Sequence, residues 1–396
     1  MNIISRDFAK RIDLYDVLER VCEELEPTQT QQDRAQSHYE AVGDYLARSD
    51  DPRFDEVEIA PQGSVVLGTM TRPIGRLEHD VDLLCRMKAL TSYDDPAFVK
   101  KVVGDRLKTS DRYAAILEEK QRCWRLNYAG DFHLDITPSV LNEKCTQGGE
   151  LVPDRKLQRW KTTNPTGYLH RFQERAALVP QMALDSVRVE KSVASSVAPY
   201  PENKKHKGVL RRTVQLAKRH RDVYFDRRDP VIAPISVIIT TLAAWSYEYF
   251  VRNRIYDTGF DLLEDVLRHM PDFIKVEQVG GRTQWYIWNE TTNGENFAEK
   301  WNSSPERAVA FYRWHSVVTA DVAGLADLMG LDRLQASMGS AFGERPVTAA
   351  MDGIRERVSD ARNEGRLSVA PMIGIAAAAA ACTTPVRANT FFGRPE

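Results

Sequence analysis

The chain has 396 residues, 42% hydrophobic and 28% charged, which suits a globular protein of two lobes or of one large core with appendages. Its formal net charge of -2 provides no overall pull toward nucleic acid, so any attraction for polyanions must be local. Five scattered cysteines (Cys22, Cys85, Cys123, Cys145, Cys382), odd in number and without a C-x-x-C pair, exclude a disulfide framework and a compact zinc signature, and fit a reducing cytosol.

The first ten residues are polar and charged, unlike a secretory signal. Residues 5–25 carry Phe8, Ile12, Leu14, Val17, Leu18 and Val21 at helical spacing and end near Pro27. Thr28 or Thr30 then opens a longer polar helix with Tyr39, Val42, Tyr45 and Leu46 on one side. From 54 to 145 strands and helices alternate. The strand residues of Val57-Glu58-Ile59-Ala60 run into Pro61-Gln62-Gly63, after which Ser64 is placed to cap a short helix. The first N–H groups of such a helix attract anions, and Gly63 lets a phosphate approach the backbone closely.

Asp80-Val81-Asp82 follows. On a strand, D-x-D sends both carboxylates to one face, because side chains alternate with period two. The two repel unless a cation lies between them. Val81, Leu83 and Leu84 mark the strand as buried. Residues 122–137 read as a hairpin, with Trp124, Leu126 and Tyr128 before Ala129-Gly130-Asp131. In its second strand Phe132, Leu134 and Ile136 face a core and Asp135 points the other way. Three carboxylates on neighbouring strands beside a Gly-Ser turn make a site for two magnesium ions and nucleotidyl transfer. Four neighbours are weaker candidates. His79, His133 (on the strand face of Asp135) and Glu78 read as ordinary surface groups, and Tyr168 as a packing residue, before any role in the site.

Asn164-Pro165 is a helix start, with Asn as cap and Pro at the first helical position. A Pro-rich linker spans 197–205. A helix runs from Gly208 to Phe225, and a second, almost wholly apolar and therefore buried, from Ile235 to Tyr249. The basic run from Lys204 to Arg228 fits a solvated helix face; a polynucleotide groove needs interleaved aromatics, and only Tyr224 and Phe225 are at hand. A narrower reading places Arg211 and Lys218 on one side of the helix, within reach of one triphosphate, with Ser236 adding a hydroxyl. Gly280-Gly281 suggests a small hairpin between Met270 and Trp301. Helices resume from Pro305 to about Leu331 and from Val347 to about Arg362. The alanine-rich stretch from Val369 to Cys382, broken by Pro371 and Gly374, is too short and too weakly apolar to span a bilayer. The last thirty residues read as a flexible tail, with Phe391-Phe392 as an aromatic pair. There is no internal repeat.

Gln62-Gly63-Ser64 with Gly68-Thr69, Arg72-Pro73-Ile74-Gly75, Asp80-Val81-Asp82-Leu83, Asn164-Pro165-Thr166-Gly167-Tyr168 and Gln215-Leu216-Ala217-Lys218-Arg219-His220-Arg221-Asp222 together resemble the bacterial cGAS/DncV-like nucleotidyltransferases (CD-NTases), the cyclic-oligonucleotide synthases of antiphage (CBASS) systems. The metal-binding pattern alone is shared with the wider polymerase-beta-like superfamily, and the Lys-Arg-His-Arg-Asp helix narrows it. The resemblance implies an α+β fold. A polymerase-beta-like nucleotidyltransferase core, a mixed sheet with helices, is joined by a long N-terminal spine helix to an α-helical lobe. The expected division is 1–53 for the N-terminal helices, 54–200 for the catalytic core, 201–365 for the helical lobe and 366–396 for the tail.

The implied activity is the joining of NTPs into a cyclic di- or trinucleotide second messenger with release of pyrophosphate. Two Mg²⁺ or Mn²⁺ ions are expected on Asp80, Asp82 and Asp135; Gln62, Gly63 and Ser64 grip phosphates from one lobe, Lys218 and Ser236 from the other. A cytoplasmic location is expected, without a membrane, with a downstream effector reached through the product and a ubiquitin-transfer-like enzyme acting on the C-terminus. Animal relatives carry a zinc-containing DNA-binding insertion; nothing here matches it, so no DNA activator is expected. A template-independent RNA or tRNA nucleotidyltransferase uses the same acids but carries a basic RNA-binding domain, which the near-neutral charge opposes. Base identity, ring size and linkage depend on pocket shape across both lobes.

Overall fold

The computed structural model describes residues 3–74, 79–128, 132–154, 158–183, 207–364, 368–370, 374–376 and 384–385. Two helices open the chain, α1 (Ile3–Leu25) and α2 (Gln29–Ala47), separated at Pro27. Thr28, not Thr30, starts α2: its hydroxyl accepts from the Gln31 N–H at 3.3 Å while the Gln31 side chain accepts from the Thr28 N–H at 3.0 Å. α1 buries Leu14, Leu18, Val21 and Leu25 in a helical core, whereas α2 buries Val42 and Leu46 in a sheet core. The N-terminal pair therefore spans both lobes.

The sheet contains β1 (Glu58–Gln62), β2 (His79–Arg86), β3 (Leu117–Glu119), β4 (Trp124–Tyr128), β5 (Phe132–Leu141), β6 (Glu150–Asp154) and β7 (Arg159–Thr163). Its order is β1-β2-β5-β4-β3, with β6 on the end of β5 and β7 on β6. β2 and β5 are parallel, and every other pair is antiparallel. Between β1 and β2 comes the short α3 (Ser64–Leu67); between β2 and β3 come α4 (Pro96–Lys108) and α5 (Asp111–Ala114). The alternation expected in β5 is present: Phe132, Leu134 and Ile136 are buried, and the residues between them face the other side. The sheet packs this face on α4, whose start is capped by Asp95, its side chain accepting from the Phe98 N–H at 2.9 Å. Trp124 lies across α4 where Gly104 leaves room, and its Nε1 donates to the Lys100 carbonyl at 2.8 Å.

The second core is helical. It comprises α6 (Pro165–Ala176), α7 (Gly208–Asp226), α8 (Ser236–Asn253), α9 (Gly259–Arg268), α10 (Glu299–Ser303), α11 (Glu306–Leu325), α12 (Leu331–Phe342) and α13 (Glu344–Asn363), packed around Phe260, Phe311, Trp314 and Phe342. Two short strands, β8 (Gln181–Met182) and β9 (Ile255–Tyr256), pair beside it. The expected hairpin is β10 (Lys275–Val279) with β11 (Arg282–Tyr286), turning at Gly280-Gly281, both at positive φ. α12 is an addition to the expected helices. Gly330 and Gly343, at φ 92° and 91°, punctuate the chain on both sides of it, so a single helical pattern is cut into separate rods. Asn164 caps α6 as expected, accepting from the Gly167 N–H at 2.8 Å, and its Nδ2 also donates to the Thr291 carbonyl at 2.8 Å. β12 (Ser368–Ala370), β13 (Gly374–Ala376) and β14 (Thr384–Pro385) form a small antiparallel sheet. The 129–131 turn, the 197–205 linker, Gly75, Glu78 and Phe391-Phe392 lie outside the described residues. Among the described residues no helix is long and apolar enough to cross a membrane.

The lobes meet along one face of α7. Arg211 Nε donates to the Leu67 carbonyl at 2.9 Å, Gln215 Nε2 to Met70 at 2.9 Å, Lys218 Nζ to Thr69 at 2.8 Å and Arg219 Nη1 to Arg72 at 3.2 Å. Positions 211, 215, 218 and 219 recur at helical spacing, so one stripe of α7 captures carbonyls of the last residue of α3 and of the segment that follows it.

A Cβ at position 104 would stand 2.1 Å from Trp124 Cζ2. Gly104→Ala gains about 1 kcal/mol of helix propensity but displaces a packed indole, an overpacking cost of about 1–3 kcal/mol. A net loss of stability is expected, measured as a lower guanidinium midpoint; an unchanged or raised midpoint contradicts this packing.

Candidate active site

β1 delivers the chain to Gly63, whose φ of 69° and ψ of -144° suit only glycine. A Cβ here would lie 2.4 Å from Asp82 Oδ2, so the turn rests directly on the acid strand. Gln62 is the register partner of Asp82. Ser64 is not the cap it was expected to be: Gly63 occupies the N-cap position, Ser64 is the first helical residue, and no side chain caps α3. Both still line the cleft.

The parallel pairing of β2 and β5 places Asp82 beside Asp135 and Asp80 beside His133. All three acids thus share one sheet face. Burial, then the charges of Asp135 and Asp80, pushes the Asp82 carboxyl up to about 7. One residue here escaped the sequence reading. Arg125 on β4 is the register partner of Asp135, donating Nε to Oδ1 at 2.6 Å and Nη2 to Oδ2 at 2.7 Å, and Nη2 also reaches Asp80 Oδ1 at 3.2 Å. Counting back across the 129–131 turn, 125 falls opposite 135, a signal available in the hairpin itself.

The facing wall comes from α7 and α8. Lys218 is buried, and burial first, then the neighbouring Arg221, lowers its ammonium to about 8. Ser236 is the first residue of α8, and its Oγ accepts from Arg221 Nη1 at 3.0 Å. Arg221 is the second residue the sequence reading missed. It forms a two-nitrogen contact with Asp222 Oδ1 (2.8 and 2.6 Å) and turns into the cleft three positions after Lys218. Arg211 is not brought here. It braces α3 through the Leu67 carbonyl, with its guanidinium over the Phe172 ring.

Between the walls lies a cleft of about 1260 Å³. Gln62, Gly63, Ser64, Asp80 and Asp82 line one side, and Lys218, Arg221 and Ser236 the other. Asp135 lies behind Arg125. His133 lines the cleft beside Asp80, and Tyr168 lines it with its ring edge-on to Phe297 and its hydroxyl 2.9 Å from Thr241 Oγ1. The side chain of His79 lies outside the described residues. Among the described residues no three His, Cys, Asp or Glu side chains converge closely enough to hold a metal as they stand. The donor set nevertheless fits divalent cations: three hard carboxylates share a face with one guanidinium, and the hydrogen bonds of that guanidinium go to Asp135 and Asp80 and not to Asp82.

Residues 13–176 match the family model of the Second Messenger Oligonucleotide or Dinucleotide Synthetase domain. The chain is 33% identical over 389 residues to a c-di-GMP synthase of Roseivirga ehrenbergii, covering 96% of this chain and 97% of that protein. It is 25% identical over 348 residues to the cyclic dinucleotide synthase CdnG of Bradyrhizobium diazoefficiens, covering 82% and 79%. The solved structure of that CD-NTase in complex with GTP superposes with a TM-score of 0.64 at 18% identity, covering 87% of this chain and 99% of that one.

Because Gly63 touches Asp82, Gly63→Ala tests the turn. At φ 69° and ψ -144° an alanine is strained by about 1–3 kcal/mol, and the clash with Asp82 Oδ2 adds to it. We expect a lower denaturation midpoint together with weaker nucleotide binding in a fluorescence titration. Wild-type values for both contradict the arrangement.

Proposed function

The chain belongs to the bacterial CD-NTase family of second-messenger oligonucleotide synthases, and from that premise we propose that its cleft joins two GTP molecules into cyclic di-GMP. It is a nucleotidyltransferase that joins NTPs into a cyclic oligonucleotide second messenger. The choice of guanine rests on the cyclic di-GMP synthase that resembles it along nearly its whole length. The observation that carries the catalytic reading is the opposition of an acidic sheet wall and a cationic helical wall across about 1260 Å³, more room than a single small ligand requires.

Nucleotidyltransferases of this family use divalent metals, and Asp80, Asp82 and Asp135 are the residues that would hold them here. Bound there, such ions lower the pKa of the attacking hydroxyl and neutralise charge on the leaving pyrophosphate. The remaining work falls to the chain's own groups. Gly63 and Ser64 hold phosphate oxygens against the backbone on the sheet side. Lys218 and Arg221 balance the triphosphate charge from α7, while Ser236 and the free N–H groups at the start of α8 hydrogen-bond it. Arg221 also orients the Ser236 hydroxyl through their 3.0 Å bond. No covalent enzyme intermediate is needed. The linear dinucleotide then turns round in the cleft so that its free hydroxyl faces the acids for ring closure. In antiphage defence the product acts through a downstream effector, as in the family.

Incubation with the four labelled NTPs and Mg²⁺ or Mn²⁺ tests this reading. A small phosphatase-resistant product made from GTP alone is expected; long chains, or a product that requires another base, would refute it. Asp80→Asn combined with Asp82→Asn is expected to abolish synthesis without lowering the thermal midpoint, since it relieves carboxylate repulsion. Lys218→Ala is expected to weaken GTP binding by about 1–3 kcal/mol, the worth of a charge-assisted contact. Unchanged affinity in a titration returns Lys218 to a purely structural role.

A further inference from the structure

We propose that Arg125 is a resident counter-cation that guards the acid cluster against bare divalent cations and gives way to them only once a nucleoside triphosphate is seated in the cleft. The inference rests on the reading of Asp80, Asp82 and Asp135 as the metal site and goes beyond it by assigning a role to a residue outside that set.

Three observations carry it. The Arg125 guanidinium grips Asp135 through both oxygens and reaches Asp80 at 3.2 Å, so it bridges acids from two strands with the lone pairs a metal would use. It is fixed from below: β4 pairs Arg125 with Asp135, and its neighbours Trp124 and Leu126 are buried in the sheet core, so the backbone cannot carry it away. Its side chain nevertheless lines the cleft and retains 20% exposure, so the guanidinium can turn from Asp80 toward an arriving phosphate.

The competition follows from charge and geometry. A bidentate Arg–carboxylate pair is among the stronger charge-assisted contacts, and a bare cation must break part of it while shedding its own water. A triphosphate changes both sides of the balance. Its oxygens supply additional ligands to the cation and offer the displaced guanidinium an equally good planar partner. Metal and nucleotide affinities are then coupled, and by linkage each strengthens the other. The longest of the three contacts, Nη2 to Asp80, is the natural one to open first.

The test uses Mn²⁺ as probe, followed by its paramagnetic resonance signal in the full-length protein, with and without a non-hydrolysable GTP analogue. For Arg125→Gln without nucleotide, Mn²⁺ affinity should tighten at least about fivefold over wild type, the lower end of ordinary site-to-site coupling. The gain on adding the analogue should shrink correspondingly. The same variant should melt earlier in EDTA than wild type and recover when Mn²⁺ is added. Structural damage alone weakens a metal site, so equal or weaker Mn²⁺ binding in Arg125→Gln overturns the proposal and leaves Arg125 as a brace for Asp135. If Arg125→Gln does not fold, Arg125→Lys keeps the charge but loses the two-oxygen grip, and the same tightening, smaller in size, is required of it. Asp82→Asn separates the two levels. If it leaves analogue-dependent Mn²⁺ binding intact, the metal-site reading fails, and the guard with it. If it abolishes that binding while neither Arg125 variant tightens Mn²⁺ binding without nucleotide, only the guard fails.

Discussion

One stripe of α7 holds the two lobes in register. Arg211, Gln215, Lys218 and Arg219 donate to the carbonyls of Leu67, Met70, Thr69 and Arg72, a segment that leaves the Gly63-Ser64 turn and runs toward the acid strand. These carbonyls lie where the sheet and helical cores meet, and left unbonded and dry each would cost on the order of 1–3 kcal/mol. Satisfying them fixes the distance between the Gly63-Ser64 turn and α7. The cleft is the space left between two walls whose spacing this contact sets.

Electrostatics then divides the walls. On the sheet side, burial and mutual repulsion push Asp82 up to about 7; on the helical side, burial and Arg221 bring Lys218 down to about 8. Both groups are displaced toward neutrality because neither wall solvates its own charge well. In the proposed function a triphosphate accompanied by cations would supply what each lacks, cations for the acids and anionic oxygens for Lys218 and Arg221. Arg125 supplies the balance for Asp135 and Asp80 on the sheet side, and Asp222 does so for Arg221 on the other.

How much of this was legible in the chain depended on the range of the interaction. Period-two alternation was enough to put Asp80, Asp82 and Asp135 on one face, because the pleat enforces it whatever the neighbours. The hairpin and the Asn164 cap were legible for the same local reason. Gly63 as cap in place of Ser64 was not, since the positive φ answers to the close approach of Asp82 from another strand. Arg211 and Lys218 share a helix stripe, but the stripe faces a loop as well as the cleft, and which side chain enters the cleft is decided by the position of α3. The place of Arg221 in the cleft escaped notice because, besides its neighbour Asp222, its partners are Pro234 just before α8 and Ser236 at the start of α8. α12 escaped because Gly330 and Gly343 interrupt a pattern whose apolar residues, Leu334, Met338 and Phe342, find their partners in other helices.

The acceptors in the inter-lobe contact are main-chain oxygens, and every residue offers the same one. The side chains of residues 69–71 therefore take no part in these four bonds, although Thr69, Met70 and Thr71 all border the cleft. A substitution at the half-buried Thr71 can reshape the chamber while leaving these main-chain bonds in place. An enzyme built this way has an adjustable lining on a fixed chassis, so new base preferences are open to it through a few changes in a segment whose path is set by α7.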